Sequence, residues 1–92
     1  MELNNFIKKY QNVTTHKKIK KLIENNFIKD NLKKIKILEF GVDKGISTSL
    51  FLKYCEKTNS KLFSVDVIDY SKLFKHPKWK FLRSRDDNKE NV

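Results

Sequence analysis

The chain is poor in the residues that cross-link or sharply turn a backbone, since its 92 residues include one cysteine, one proline and two glycines. A single thiol, Cys55, excludes an internal disulfide framework and a cysteine-rich zinc cage. No apolar run approaches the ~20 residues that cross a bilayer, and the N-terminus lacks the apolar stretch of a secretory signal. We therefore expect a soluble, cytoplasmic protein with a reduced thiol and no membrane partner.

Negative charge is also scarce, because 21 lysines and arginines face 11 acidic residues and give a net charge of +10. Such a basic protein is a candidate for binding nucleic acid. However, arginine, the side chain best suited to phosphates and guanine edges, occurs only at positions 83 and 85. Alanine is absent while lysine, asparagine and isoleucine abound, and this is a composition that a low-GC genome produces by codon bias. We keep RNA or DNA binding by the N-terminal lysines as the alternative.

What the chain does contain is a change of hydrophobic period, which divides it into residues 1–33 and 34–92. The first part predicts two helices from the spacing i, i+3, i+4, i+7. Their apolar positions are Leu3, Phe6, Ile7 and Tyr10, then Ile19, Leu22, Ile23 and Phe27. Thr14 or Thr15 is the expected N-cap of the second helix, and Asp30 and Asn31 mark its expected end.

The second part predicts a βαβ unit. Short apolar runs at 35–40, 62–67 and 79–82 are typical of buried strands, and 46–58 has helical spacing. Strand, helix and strand at these lengths imply parallel strands with a right-handed crossover. We expect one or two helical turns over 70–75. The fold class is therefore α/β: two N-terminal helices, then a partial Rossmann-like parallel sheet of about three strands.

Both glycines of the chain, Gly41 and Gly45, fall in the turn between the first strand and its helix. Glycine permits positive φ and lets a ligand approach the main chain, and a helix N-terminus attracts anions. The spacing fits neither a P-loop nor the Gly-x-Gly-x-x-Gly dinucleotide fingerprint. What remains is acidic-x-Gly-x-x-x-Gly, which begins at Glu39.

This turn resembles the first motif of the class I S-adenosylmethionine (SAM)-dependent methyltransferases. The matching residues are ILEFGV (37–42) and GIST (45–48). LFSVD (62–66) is similar to that family's second strand with its acidic end, and FLRSRDDN (81–88) to the segment after the third strand. The resemblance covers residues 35–88. It implies methyl transfer from SAM to a small-molecule acceptor, and it nominates no catalytic residue in this chain.

Carried over by position, the resemblance implies seven cofactor-binding residues. Gly41 and Gly45 would let the methionine part of SAM pass close to the backbone, and Glu39 would orient its amino group directly or through water. Ser47 or Thr48 would line the site of the SAM carboxylate at the helix start. Asp66 would accept hydrogen bonds from both ribose hydroxyls. Asp86, or less favourably Asp87, would meet the adenine amino group.

Each assignment has a structural alternative. The glycines would also serve a tight turn, Glu39 would pair with a lysine, and Asp66 would pair with Lys44 or Lys61. Asp86 and Asp87 would also suit a solvated, charged tail, and Cys55 on an apolar helix face would pack in the core. His16 and His76 lie far apart without a carboxylate cluster, so no metal site is predicted.

The resemblance also implies that something is missing. The family's sheet has seven strands with the first at its centre, whereas this chain ends after a third strand. We favour a truncated methyltransferase over a small module that dimerises through its exposed sheet edge. In either case the first strand would present an apolar edge, and such edges promote pairing with another chain. Self-association through that edge is therefore an expectation.

Overall fold

The computed structural model describes residues 2–28 and 34–84. In this part of the chain, three helices and a three-stranded parallel sheet confirm the α/β fold. The elements are α1 (Leu3–Tyr10), α2 (Thr14–Ile23), a π-helical turn (Glu24–Ile28), β1 (Lys36–Phe40), α3 (Ile46–Thr58), β2 (Lys61–Asp66) and β3 (Trp79–Arg83). No helix in the described part is long and apolar enough to cross a membrane.

The two N-terminal helices have different caps, and the cap of the second differs from the expectation. The Glu2 carboxylate caps α1 by accepting the N–H of Asn5 at 2.9 Å. Helix α2 already includes Thr14 and Thr15, and its N-cap is Val13, which supplies no side-chain hydrogen bond. The predicted threonine cap is therefore wrong. The helix begins one residue too early for Thr14, and two residues too early for Thr15, to stand at the capping position.

The sheet has the strand order β1-β2-β3, with all strands parallel. Helix α3 connects β1 to β2, as the βαβ pattern predicts. The connection from β2 to β3 contains a turn but no helix. In this turn the Leu73 N–H donates a hydrogen bond to the Tyr70 carbonyl at 2.9 Å. The expected helical turns over 70–75 are absent there, because the segment is short and its side chains Leu73 and Phe74 pack inward instead.

Within residues 2–28 and 34–84, the helices cover one face of the sheet and leave the other exposed. Ile37 and Leu62 belong to the buried core together with Leu50, Leu52 and Cys55 of α3. Cys55 lies fully buried in this core, which confirms its interpretation as a packing residue, and burial raises the pKa of its thiol to about 11.

The opposite face carries Leu38, Phe40 and Leu82, which are 60%, 77% and 65% exposed. Parallel sheets are normally covered on both faces. The strands of this chain are thus positioned by packing on one side alone.

Candidate functional site

The two glycines of the β1–α3 turn have the same backbone geometry but different surroundings. Gly41 and Gly45 have φ of +90° and +88°, values that residues with a side chain rarely adopt. A Cβ at Gly41 would meet nothing within 4 Å, whereas one at Gly45 would collide with the Leu73 side chain. Phe74 and Phe6 would also lie 3.4 and 3.5 Å away from it. Gly41 therefore leaves open space beside the main chain, whereas Gly45 is closely packed against these side chains. Cofactor contact at Gly45 stays a prediction.

Glu39 is a buried carboxylate held by three hydroxyl groups. It is 7% exposed, and its Oε2 accepts the Ser47 hydroxyl at 2.6 Å. Its Oε1 accepts the hydroxyls of Thr48 and Ser64, each at 2.7 Å. Ser64 in turn accepts the indole N–H of Trp79 at 2.9 Å. Within the described residues Glu39 has no lysine partner, so the ion-pair alternative fails there.

This network explains why Glu39, Ser47 and Thr48 are needed where they are. A buried carboxylate is costly unless its oxygens are hydrogen-bonded. Three donors fill three of its roughly four acceptor directions. The residues that were expected to contact a cofactor therefore bind one another and join β1 to the start of α3. Their direct contact with a ligand stays a prediction.

Asp66 connects the end of β2 to the glycine turn. Its Oδ2 accepts the N–H of Val42 at 2.8 Å, and its Oδ1 accepts the N–H of Ile68 at 3.1 Å. These backbone donors, first Val42 and then Ile68, lower the pKa of the carboxyl because they favour its charged form. No ion pair with Lys44 or Lys61 forms among the described residues. Asp66 is only partly buried, and the backbone N–H groups of Val67 and Asp43 lower the pKa of its carboxyl further.

The N-terminus of α3 opens onto a cavity beside the same turn. Gly45 is its N-cap and supplies no side-chain hydrogen bond, and the first turn of the helix contains no acidic residue. Its leading N–H groups and the positive end of its dipole therefore favour an anion. The cavity has a volume of about 200 Å³, and its lining residues are Val13, Thr15, Gly41, Val42, Asp43, Lys44, Ile46 and Ser47.

Some residues of this site were not foreseen from the sequence. Val13 and Thr15 reach the cavity from the α1–α2 corner, and no local signal connects them with residues that follow in the chain about thirty positions later. Val67 and Ile68 follow Asp66 and are both exposed. They provide an apolar surface beside the carboxylate. The hydrophobic pattern of β2 did not reveal this surface, because the two residues look like the end of an ordinary strand. Asp86 lies outside the described residues.

A second cavity lies between the N-terminal helices and α3, away from the glycine turn. It has a volume of about 270 Å³ and is lined in part by Ile7, His16, Leu50 and Tyr54. His16 is buried, and its Nδ1 lacks a hydrogen-bond partner among the described residues. Burial, and then the charge of Lys20, lower the pKa of this imidazole. In the described part of the chain, no three His, Cys, Asp or Glu side chains cluster as metal ligands.

Comparison of this chain with protein-family models, with curated proteins and with solved structures found no match. The likeness to the methyltransferases therefore remains a likeness of motifs. The function is argued below from the geometry of the turn, the carboxylate and the cavity.

Proposed function

We propose that this chain binds S-adenosylmethionine at the carboxyl ends of β1 and β2, as the cofactor-binding part of a methyltransferase. The proposal is carried by one observation, the 2.8 Å hydrogen bond from the Val42 N–H to Asp66. This bond holds a charged carboxylate directly beside the open main chain at Gly41. Parallel α/β sheets bind ligands outside the carboxyl ends of their strands, where both groups lie.

Asp66 is suited to the ribose of the cofactor. The two ribose hydroxyls are neighbouring donors, and a carboxylate is a pure acceptor with two oxygens. Val42 and Ile68 keep this carboxylate charged and fix its orientation through their N–H groups. The exposed side chains of Val67 and Ile68 then offer an apolar surface to the adenine ring. The proposed contact of Asp86 with the adenine amino group remains a prediction.

The cavity beside α3 is suited to the amino-acid arm. Its carboxylate would lie at the uncapped helix N-terminus, near the ammonium-bearing Lys44. Ser47 donates its hydroxyl proton to Glu39 and keeps lone pairs that can accept from the amino group of the arm. Gly41 leaves room for the arm to cross the backbone because no atom occupies the space where its Cβ would stand.

The role of the protein in this proposal is to bind and orient. SAM carries the reactive sulfonium methyl group, so the protein supplies position and electrostatics. The acceptor proposed from the motif resemblance is a small molecule. We assign no general base and no catalytic residue to this chain.

Calorimetric titration with S-adenosylhomocysteine tests the proposal. We expect Asp66→Asn to weaken binding by about tenfold or more, because a hydrogen bond to a charged group contributes about 1.5–3 kcal/mol. Asparagine can still accept the Val42 N–H, so the turn is expected to survive. Asp69→Asn is the matched control, since Asp69 is exposed and its Oδ1 accepts the N–H of Ser71 in a similar local turn. Wild-type affinity in Asp66→Asn would refute the site.

Nucleic-acid binding is the second candidate, and the exposure of the N-terminal lysines favours it. These residues are Lys8, Lys9, Lys17, Lys18, Lys20 and Lys21, and none makes an ion pair with a described residue. Binding through phosphates weakens steeply with salt because counterions are released. Titration with single- and double-stranded oligonucleotides at two salt concentrations separates the candidates, since cofactor binding at the turn is expected to depend far less on salt.

A further inference from the structure

Strand β1 forms one edge of the sheet, and its hydrogen-bonding direction alternates along the chain. The C=O of Ile35 accepts the N–H of Lys61 at 3.0 Å, and the N–H of Gly41 donates to the C=O of Val65 at 2.8 Å. In a parallel pair, every second residue of a strand directs its N–H and C=O to the same neighbour. The odd-numbered residues from 35 to 41 therefore face β2, and the even-numbered residues face away from it.

The outward-facing residues of β1 are Lys36, Leu38 and Phe40. Among the residues that the structure describes, no strand pairs with their main-chain groups, because the sheet order is β1-β2-β3. Their side chains lie on the face of the sheet that no helix covers, where Phe40 is 77% exposed. An edge strand that is unpaired and apolar, with no proline, is a template for pairing with another strand.

We propose that β1 pairs antiparallel with β1 of a second copy of this chain, around a two-fold axis at Leu38. In this register Leu38 faces Leu38 of the second copy, and Lys36 faces Phe40 of the second copy. Each copy contributes three outward N–H groups, so two copies form six main-chain hydrogen bonds. The interface is isologous, and the result is a closed dimer with a six-stranded sheet.

The register is selected by the side chains and the charges. A shift of two residues in either direction would leave Lys36 or Phe40 without an outward partner on the facing strand. The centred register places Lys36 opposite Phe40 of the second copy, a residue pair capable of cation–π attraction, and brings no two lysines directly opposite each other. The alternation thus makes the edge complementary to itself.

The other edge of the sheet is a poorer candidate. The hydrogen bonds from the Leu62 N–H to Lys78 and from the Ser84 N–H to Asp66 show that Trp79 and Phe81 are among the residues facing outward on β3. Trp79 is buried and Phe81 is half-buried on the helix-covered face. Pairing along β3 would therefore cover little apolar surface that is now exposed.

Two quantities set the expected strength of the dimer. Specific interfaces usually bury about 1,200–2,000 Å², and a pair of five-residue strands covers less, so we expect a micromolar dissociation constant. Each copy carries a net charge of +10, and this repulsion is screened by salt. The dimer should therefore tighten as salt rises, whereas binding to nucleic acid would weaken. The proposal does not depend on the cofactor.

Sedimentation equilibrium from micromolar to near-millimolar concentration tests the dimer. We expect Leu38→Lys to weaken dimerisation by about tenfold or more, because it places like charges opposite each other at the axis. Leu82→Lys is the matched control. It adds the same charge to an exposed position on the same face, but on β3. Amide hydrogen exchange gives an independent readout, since the N–H groups of Lys36, Leu38 and Phe40 should be protected only in the dimer.

A monomer at near-millimolar concentration would overturn the proposal, and so would a dominant species larger than a dimer. Equal dimerisation by Leu38→Lys and the wild type would also overturn it. A dimer that Leu82→Lys disrupts, while Leu38→Lys does not, would place the interface on β3 and reject the β1 register. Circular dichroism of each variant establishes that its fold is retained. Because both positions are exposed, unfolding is not expected.

Discussion

The two glycines of the β1–α3 turn allow a matched test of the packing argument. Gly41→Ala and Gly45→Ala both force alanine into positive φ, which costs roughly 1–2 kcal/mol per residue. Only at Gly45 does the added Cβ meet neighbouring atoms. It would collide with the Leu73 side chain and would also contact Phe74 and Phe6 at 3.4 and 3.5 Å. Overpacking of this kind costs typically about 1–3 kcal/mol more. We therefore expect Gly45→Ala to lose about 2–5 kcal/mol and Gly41→Ala about 1–2 kcal/mol.

Thermal unfolding and urea unfolding, each followed by circular dichroism and Trp79 fluorescence, measure both losses. In a domain of this size, 1 kcal/mol shifts the melting temperature by about 4–8 °C, so the difference between the variants is easily resolved. Binding of S-adenosylhomocysteine should rank them the other way. We expect Gly41→Ala to lose affinity while it remains folded, because its methyl group enters the open space. Equal destabilisation by the two substitutions would refute the packing role of Gly45.

Three further predictions follow from buried side chains. Glu39→Gln should lower the free energy of unfolding by about 1–3 kcal/mol, because an amide nitrogen cannot accept the hydroxyl protons that the carboxylate now accepts. The control Glu56→Gln, at the surface, should cost far less. Equal losses of the two variants in denaturant titrations would contradict the network. Folding lowers the pKa of His16, so the unfolded chain binds the imidazole proton more tightly than the folded chain does. The free energy of unfolding should therefore fall as pH drops below about 6.5. His16→Leu should flatten that part of the curve of stability against pH. Cys55 should resist alkylation by a maleimide at neutral pH until the protein unfolds, since its thiol is buried with a pKa of about 11; rapid labelling of the folded chain would contradict this.

Much of the fold was predictable from local patterns. The strand at 36–40 and the helix at 46–58 follow from a short apolar run, then a glycine turn, then helical spacing. The turn itself was identifiable because its backbone needs positive φ at Gly41 and Gly45, and few other residues permit it. These features depend on neighbours within a few positions, so they can be predicted from a single sequence.

The candidate site depended on contacts that no local pattern encodes. The partnership of Glu39 with Ser64 arises because the register of β1 and β2 places these residues side by side. Without that register, an ion pair with a lysine remained an open alternative to the cofactor contact that the motif implies for Glu39. The same is true of Asp66, whose carboxylate reaches the N–H of Val42 across the two strand ends.

The sequence by itself determined the order of the elements, the place of the glycine turn and the acidic residues at the strand ends. Only the tertiary structure decided which of those residues face each other, and that Gly45 contacts Leu73 while the space beside Gly41 stays open. It also decided that nothing in residues 2–28 and 34–84 covers one face of the sheet or the β1 edge. The physical reason is one of range. Helical spacing and positive φ are properties of a few consecutive residues, whereas strand register and helix docking depend on side chains far apart in the chain.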